Sequence, residues 1–132
     1  MTTHRSTTVE GLLLAADRLL EGPLTTGATA SGRHRGICLA LRTAIELHVN
    51  LVLEARTPGL SRTTGRAKLL ILYSCTAAGT ARRTKALWSQ LSLGCHYHRY
   101  ELGPTHDQVR GWRREVDSLI QELSHAAPAA PG

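Results

Sequence analysis

The sequence predicts an all-α protein, an antiparallel bundle of four to five helices in one domain. Three observations predict it. Apolar residues recur at three-and-four spacing in segment after segment, no segment alternates with the period of a strand between hairpin-type turns, and Gly-Pro or Pro-Gly pairs separate the periodic segments. At 132 residues the chain has the size of a single domain and can bury a core without disulfide or metal staples.

Val9, Leu12, Leu13, Ala16, Leu19 and Leu20 share one helical face, and Gly22-Pro23 ends the helix that carries them. Residues 22–32 are rich in small residues and lack periodicity, so they read as a loop, with the second helix starting near Ser31. That helix carries Leu41, Ala44, Ile45, His48, Leu51, Val52 and Ala55, widened by Leu39, Leu47, Val49 and Leu53. A helix apolar over so much of its circumference belongs at the centre of a bundle. Pro58-Gly59 ends it, and Ser61 is the expected cap of the next.

The third helical region begins near Arg66 and should split around residues 77–80, because Gly79 costs about 1 kcal/mol in a helix interior relative to Ala. Its second half places Thr84, Leu87, Trp88, Leu91, Cys95 and His98 at helical spacing, and Gly103-Pro104 then breaks the chain. Thr105 and Gln108 have the spacing of a capping box, so the final helix should cover 105–124. Val109, Trp112, Val116, Leu119, Ile120 and Leu123 form its apolar face, with Trp112 and Val116 expected against the second helix. Residues 1–125 read as the domain and 126–132 as a disordered tail.

The run from residue 67 to 78, taken as the longest apolar stretch, is shorter than the roughly 20 residues of a membrane span. With three cysteines at no ligand-like spacing and no signal-peptide pattern at the N-terminus, a cytoplasmic protein without membrane partners is expected. Sixteen Lys plus Arg against ten Asp plus Glu favour a polyanionic partner such as RNA. The same composition, rich in Ala, Gly, Leu and Arg and free of Phe, equally suits a GC-rich coding sequence.

The densest group of reactive side chains is CHYHRYELGPTH, residues 95–106. Cys95, His96 and His98 lie too close together for a zinc site on one helical face, so neither metal nor cofactor is expected. This run, followed by VRGW, resembles the signature of a small actinobacterial HEPN-like family. In that family a Cys-His-x-His-x-Tyr-Glu-Leu-x-Pro-Thr segment joins the last two helices. Residues 39–60, LALRTAIELHVNLVLEARTPGL, resemble its central helix, and the likeness spans about residues 35–123.

The resemblance implies a helical bundle, often dimeric, whose active relatives are metal-independent endoribonucleases that pair an Arg with a His shortly after it. Arg42 with His48 and Arg99 with His106 both fit that loose spacing. His48 lies on an apolar stripe and reads as a core histidine, whereas Arg99 and His106 lie at the junction where the superfamily keeps its pair. That small family commonly has Arg where this chain has Leu93. The resulting candidates for catalysis are His98, Arg99 and His106, with His98 the main acid–base group. His96, Tyr100, Arg82 and Arg83 are the candidates for RNA binding.

Tyr100 and Glu101 match the family's fixed pair but suit structural roles equally well, Glu101 through an ion pair such as with Arg110. Two functions stay open at this level. One is an RNA-associated domain, a weak or degenerate ribonuclease of toxin or defence type. The other is a non-catalytic module for homodimerisation or for holding a protein partner such as an antitoxin.

Overall fold

The structure, a computed structural model, describes residues 7–22, 27–96 and 103–125, without the side chains of 27–31 and 61. It is an all-α bundle of five helices, α1 (Thr7–Glu21), α2 (Gly27–Arg56), α3 (Gly65–Cys75), α4 (Ala78–Cys95) and α5 (His106–Ser124), with a 3₁₀ turn at Leu60–Arg62. No strand occurs among the described residues.

Cross-helix contacts define the directions. Arg33 of α2 donates to the Gly22 carbonyl at 2.8 Å and Leu19 lies beside Gly36, so α1 and α2 are antiparallel. Gly94 meets Cys38 and the Trp88 indole N–H donates to Glu46 at 2.9 Å, so α4 returns along α2. Thr80 donates to Glu122 at 3.0 Å, while Gly94 faces Trp112, which makes α4 and α5 antiparallel as well. As a result α2 and α5 run parallel, joined by His34 to His106 near one end and His48 to Ser124 near the other.

The core follows the predicted stripes. Val9, Leu13 and Ala16 of α1 are buried, as are Val109, Val116, Leu119, Ile120 and Leu123 of α5. The stretch Gly32–Arg56 is long and apolar enough to cross a membrane by length and composition, with mean hydropathy 1.5, and it exceeds the 67–78 run. Its Ile37, Leu41, Ala44, Ile45, Val52 and Leu53 are buried in the bundle, as expected of a central helix.

Several boundaries differ from the sequence reading. α2 begins at Gly27, before Ser31, because Ala-Thr-Ala-Ser contains no breaker strong enough to stop backbone pairing once the helix is held by its core half. Ser61 falls inside the 3₁₀ turn, and Thr64 caps α3 instead, its hydroxyl accepting from Ala67 N–H at 3.2 Å. The α3–α4 break sits at Thr76-Ala77. There Ser74 and Thr76 hydroxyls donate back to the Ile71 and Leu72 carbonyls at 2.6 Å, a local pairing that competes with continued helix, while Gly79 is accommodated within α4. Leu39 is 49% exposed and Trp88 41% exposed, so both lie off the core. Trp112 is half-buried and packs at the Gly94–Cys38 contact with α4, not deep against α2.

Two termini are built as the residue types dictate. Gly59 has φ 94°, a left-handed conformation that favours glycine, and its N–H donates to the Glu54 carboxylate at 3.0 and 3.1 Å. At the start of α5 both bonds of the capping box form, Thr105 N–H to Gln108 at 2.9 Å and Gln108 N–H to Thr105 at 3.1 Å.

Candidate functional site

The capping box fixes where α5 starts, and His106 is its first helical residue. Its Nδ1 lies 3.3 Å from Nε2 of His34 on α2, with ring centroids 5.5 Å apart and planes tilted by 37°. The two rings are half-buried between the N-terminal part of α2 and the turn Gly103–Thr105. His34 is held below the ordinary histidine range, first by burial and then by the neighbouring His106 and the Arg33 cation. A hydrogen bond to the Pro104 carbonyl opposes that shift and holds the ring. Proline has no N–H, so the imidazole is the donor in this bond.

His96 is exposed at the C-cap of α4, where its N–H reaches the Ser92 and Leu93 carbonyls at 3.2 and 3.1 Å. Burial pushes the Cys95 thiol up, against the pull of the Arg42 and Arg35 cations, and Glu46 pushes it further. Cys38, beneath Gly94, is pushed up to about 12 by burial and by Cys95. Both thiols therefore stay protonated at neutral pH and are poor nucleophiles.

His98, Arg99 and Tyr100, together with Glu101, lie outside the described residues. Arg82 and Arg83 are described and stand far from His106. Arg83 pairs with Glu122 near the end of α5, sixteen residues and roughly 24 Å along the helix axis from its start. A shallow cleft of about 640 Å³ lies there, lined by Thr76, Thr80, Arg83, Glu122 and His125. Of the seven candidates, the structure brings His96 and His106 to the same end of the bundle and leaves the Arg82-Arg83 pair at the other.

The alternative pair, Arg42 and His48, is structural in His48. This side chain is fully buried, and its Nε2 lies 3.0 Å from the Ser124 hydroxyl, which also donates to Ile120 O at 2.8 Å. Arg42 lies 3.6 Å from Glu46, one turn along the same helix. Among the described residues no three His, Cys, Asp or Glu side chains gather as a metal-holding group.

The residue the sequence reading missed is His34. In the sequence it is the middle of the basic triplet Arg33-His34-Arg35, which reads only as a solvated charged group near a helix start. No spacing rule links it to His106 across 72 residues; the link comes from the parallel pairing of α2 with α5. No protein-family model, curated protein or solved structure matches the chain.

Proposed function

We propose that the protein is a HEPN-like RNA-associated domain, a metal-independent endoribonuclease of toxin or defence type, weak or degenerate, that acts through the His34–His106 pair. One observation carries this reading: two histidines on different helices, 3.3 Å apart nitrogen to nitrogen, at an end of the bundle that also holds Arg33, Arg35 and His96. In such a pair one ring orients the other and steadies the charge it gains. His34, kept neutral, is the orienting partner, and His106 is the group that takes a proton.

The chemistry this supports is transesterification. His106 accepts the ribose 2′-hydroxyl proton, the oxygen attacks the adjacent phosphorus, and the 5′-oxygen leaves with a proton supplied by a second acid, giving a 2′,3′-cyclic phosphate. Nearby arginines favour the charge that builds on the phosphate. A homodimer, which would set two such ends together, fits this reading. The test is cleavage of single-stranded RNA in the presence of EDTA. His106→Gln should abolish it and His34→Gln should slow it, with the helical signal unchanged in both. No cleavage by the wild type, or unchanged cleavage by His106→Gln, would overturn it.

A second reading, a non-catalytic interaction module, is favoured by a different observation. An open groove of about 690 Å³ between α2, α3 and α4 is floored by Ile45, Val49, Leu69 and Leu72, with Lys68 and Lys85 at its edge. Leu70 of α3 and Leu93 of α4 are 65% and 75% exposed. An inactive wild type that forms a stable complex with a protein partner, lost on Leu70→Glu, would support it.

A further inference from the structure

We propose that His34 and His106 together form a binding site for a divalent transition-metal ion of the zinc class, held by Nε2 of His34 and Nδ1 of His106. The inference goes beyond the ribonuclease reading and does not depend on it. If both are right, the ion is an inhibitor, because it occupies the ring that would take the proton.

The first argument is distance. Zinc lies about 2.0–2.1 Å from each imidazole nitrogen, and tetrahedral geometry then sets two such nitrogens roughly 3.3–3.4 Å apart. The nitrogens of His34 and His106 stand at 3.3 Å. Turning the rings about their side-chain torsions would direct both nitrogens at one ion.

The second is that the pair is prepared in advance. His34 projects from the central helix, and His106 is pinned inside a complete capping box, between Thr105 and Gln108. Little ordering is left to be done on binding, so less free energy is lost to it. The Pro104 carbonyl also interacts with the His34 ring, a backbone partner of the kind that orients metal-binding histidines.

Proton accounting is simple. In the metal-free pair one of the two facing nitrogens carries an N–H and the other accepts it. On binding, that proton moves to the far nitrogen of the same ring, so both facing nitrogens become ligands and neither ring changes charge. No third His, Cys, Asp or Glu among the described residues joins them. Two positions of a tetrahedral ion are therefore filled by water or by an oxygen of a bound anion. Arg33, one residue before His34 on α2, is the cation whose charge acts on the His34 ring. It lowers affinity for a dication, and it favours an anionic oxygen in one open position.

The experiment titrates the full chain, stripped with EDTA and desalted, with zinc chloride by calorimetry and with cobalt(II) by visible absorption. The expected result is saturable binding of one ion per chain, with a higher melting temperature. His34→Gln and His106→Gln should each weaken binding by more than about tenfold, while His96→Gln leaves it intact. Wild-type imidazole resonances of His34 and His106 should shift together on adding zinc, a readout independent of any variant's stability. Absence of saturable binding, binding undiminished in both His34→Gln and His106→Gln, or loss through His96→Gln alone would each overturn the proposal. RNA is absent throughout, so failure here leaves the cleavage test intact, and failure of cleavage leaves this one intact.

Discussion

Gly94 and Cys38 occupy adjoining space in which no further carbon fits: a Cβ on the glycine would lie 2.5 Å from the cysteine sulfur and 3.2 Å from its Cβ. Here α4 packs tightly against α2, with Trp112 of α5 beside the contact. Gly94→Ala should destabilise the fold by about 1–3 kcal/mol through overpacking. In a Cys38→Ala background the same substitution should cost clearly less, because the sulfur is gone. Urea denaturation of the four proteins in a double-mutant cycle measures the coupling; strict additivity would show that the contact is not the cause.

Arg113 and Asp17 tie α5 to α1 through two parallel hydrogen bonds, Nε at 2.7 Å and a terminal nitrogen at 3.1 Å. Asp117, one turn on, lies 3.6 Å from the same guanidinium. Lysine carries the charge but cannot make the fork. Arg113→Lys should therefore destabilise by about 1 kcal/mol, nearly as much as Arg113→Gln, since the pair is partly exposed and its geometry matters more than its charge. A lysine variant as stable as the wild type would show that charge alone is sufficient.

His34 sets a pH dependence of known sign. The folded chain holds it below its ordinary value of 6.5, so as pH falls the unfolded chain takes up the proton first. The associated stability is present above about pH 6.5 and is lost as pH drops through the lower, folded value. The melting temperature of the wild type should thus decline more between pH 7 and pH 5 than that of His34→Gln. Parallel profiles would assign the decline to other groups.

His48 is buried in the core beside Ser124, far from the His34–His106 end. His48→Ala should cost about 2–4 kcal/mol, from the cavity and from the polar partner left behind. Any RNA cleavage or zinc binding should survive in the fraction that remains folded. Selective loss of either at unchanged stability would move the functional end of the bundle to His48.

The helices were legible because each carries its own signal: periodic Leu and Val on α1 and α5, Pro58-Gly59 at a helix end, and the Thr105–Gln108 box whose two bonds both form. Boundaries failed where two residues competed for one role. Ser61 and Thr64 are both plausible caps, and only the 3₁₀ turn, which consumes Ser61, decides between them. Trp112 reads as core from its spacing, yet it lies beside Gly94 at the edge of the bundle and is only half-buried. The candidate site was half legible. His106 belongs to a dense local motif, but His34 is joined to it only by packing, and periodicity along a chain carries no information about which distant helix lies alongside.

The parallel pairing of α2 and α5 also has a consequence for biosynthesis. α1, α2 and α4 are each antiparallel to a sequence neighbour or near neighbour and can associate as the chain emerges. The flank of α2 that receives α5, from His34 beside His106 to His48 beside Ser124, has no local substitute. Until α5 is made, a long apolar ridge of α2 faces water, the condition under which nascent chains are bound by chaperones or join one another. Yield of the folded protein should therefore depend on how quickly residues 109–123 follow α2 out of the ribosome, and synonymous codon changes that slow that segment should raise the aggregated fraction.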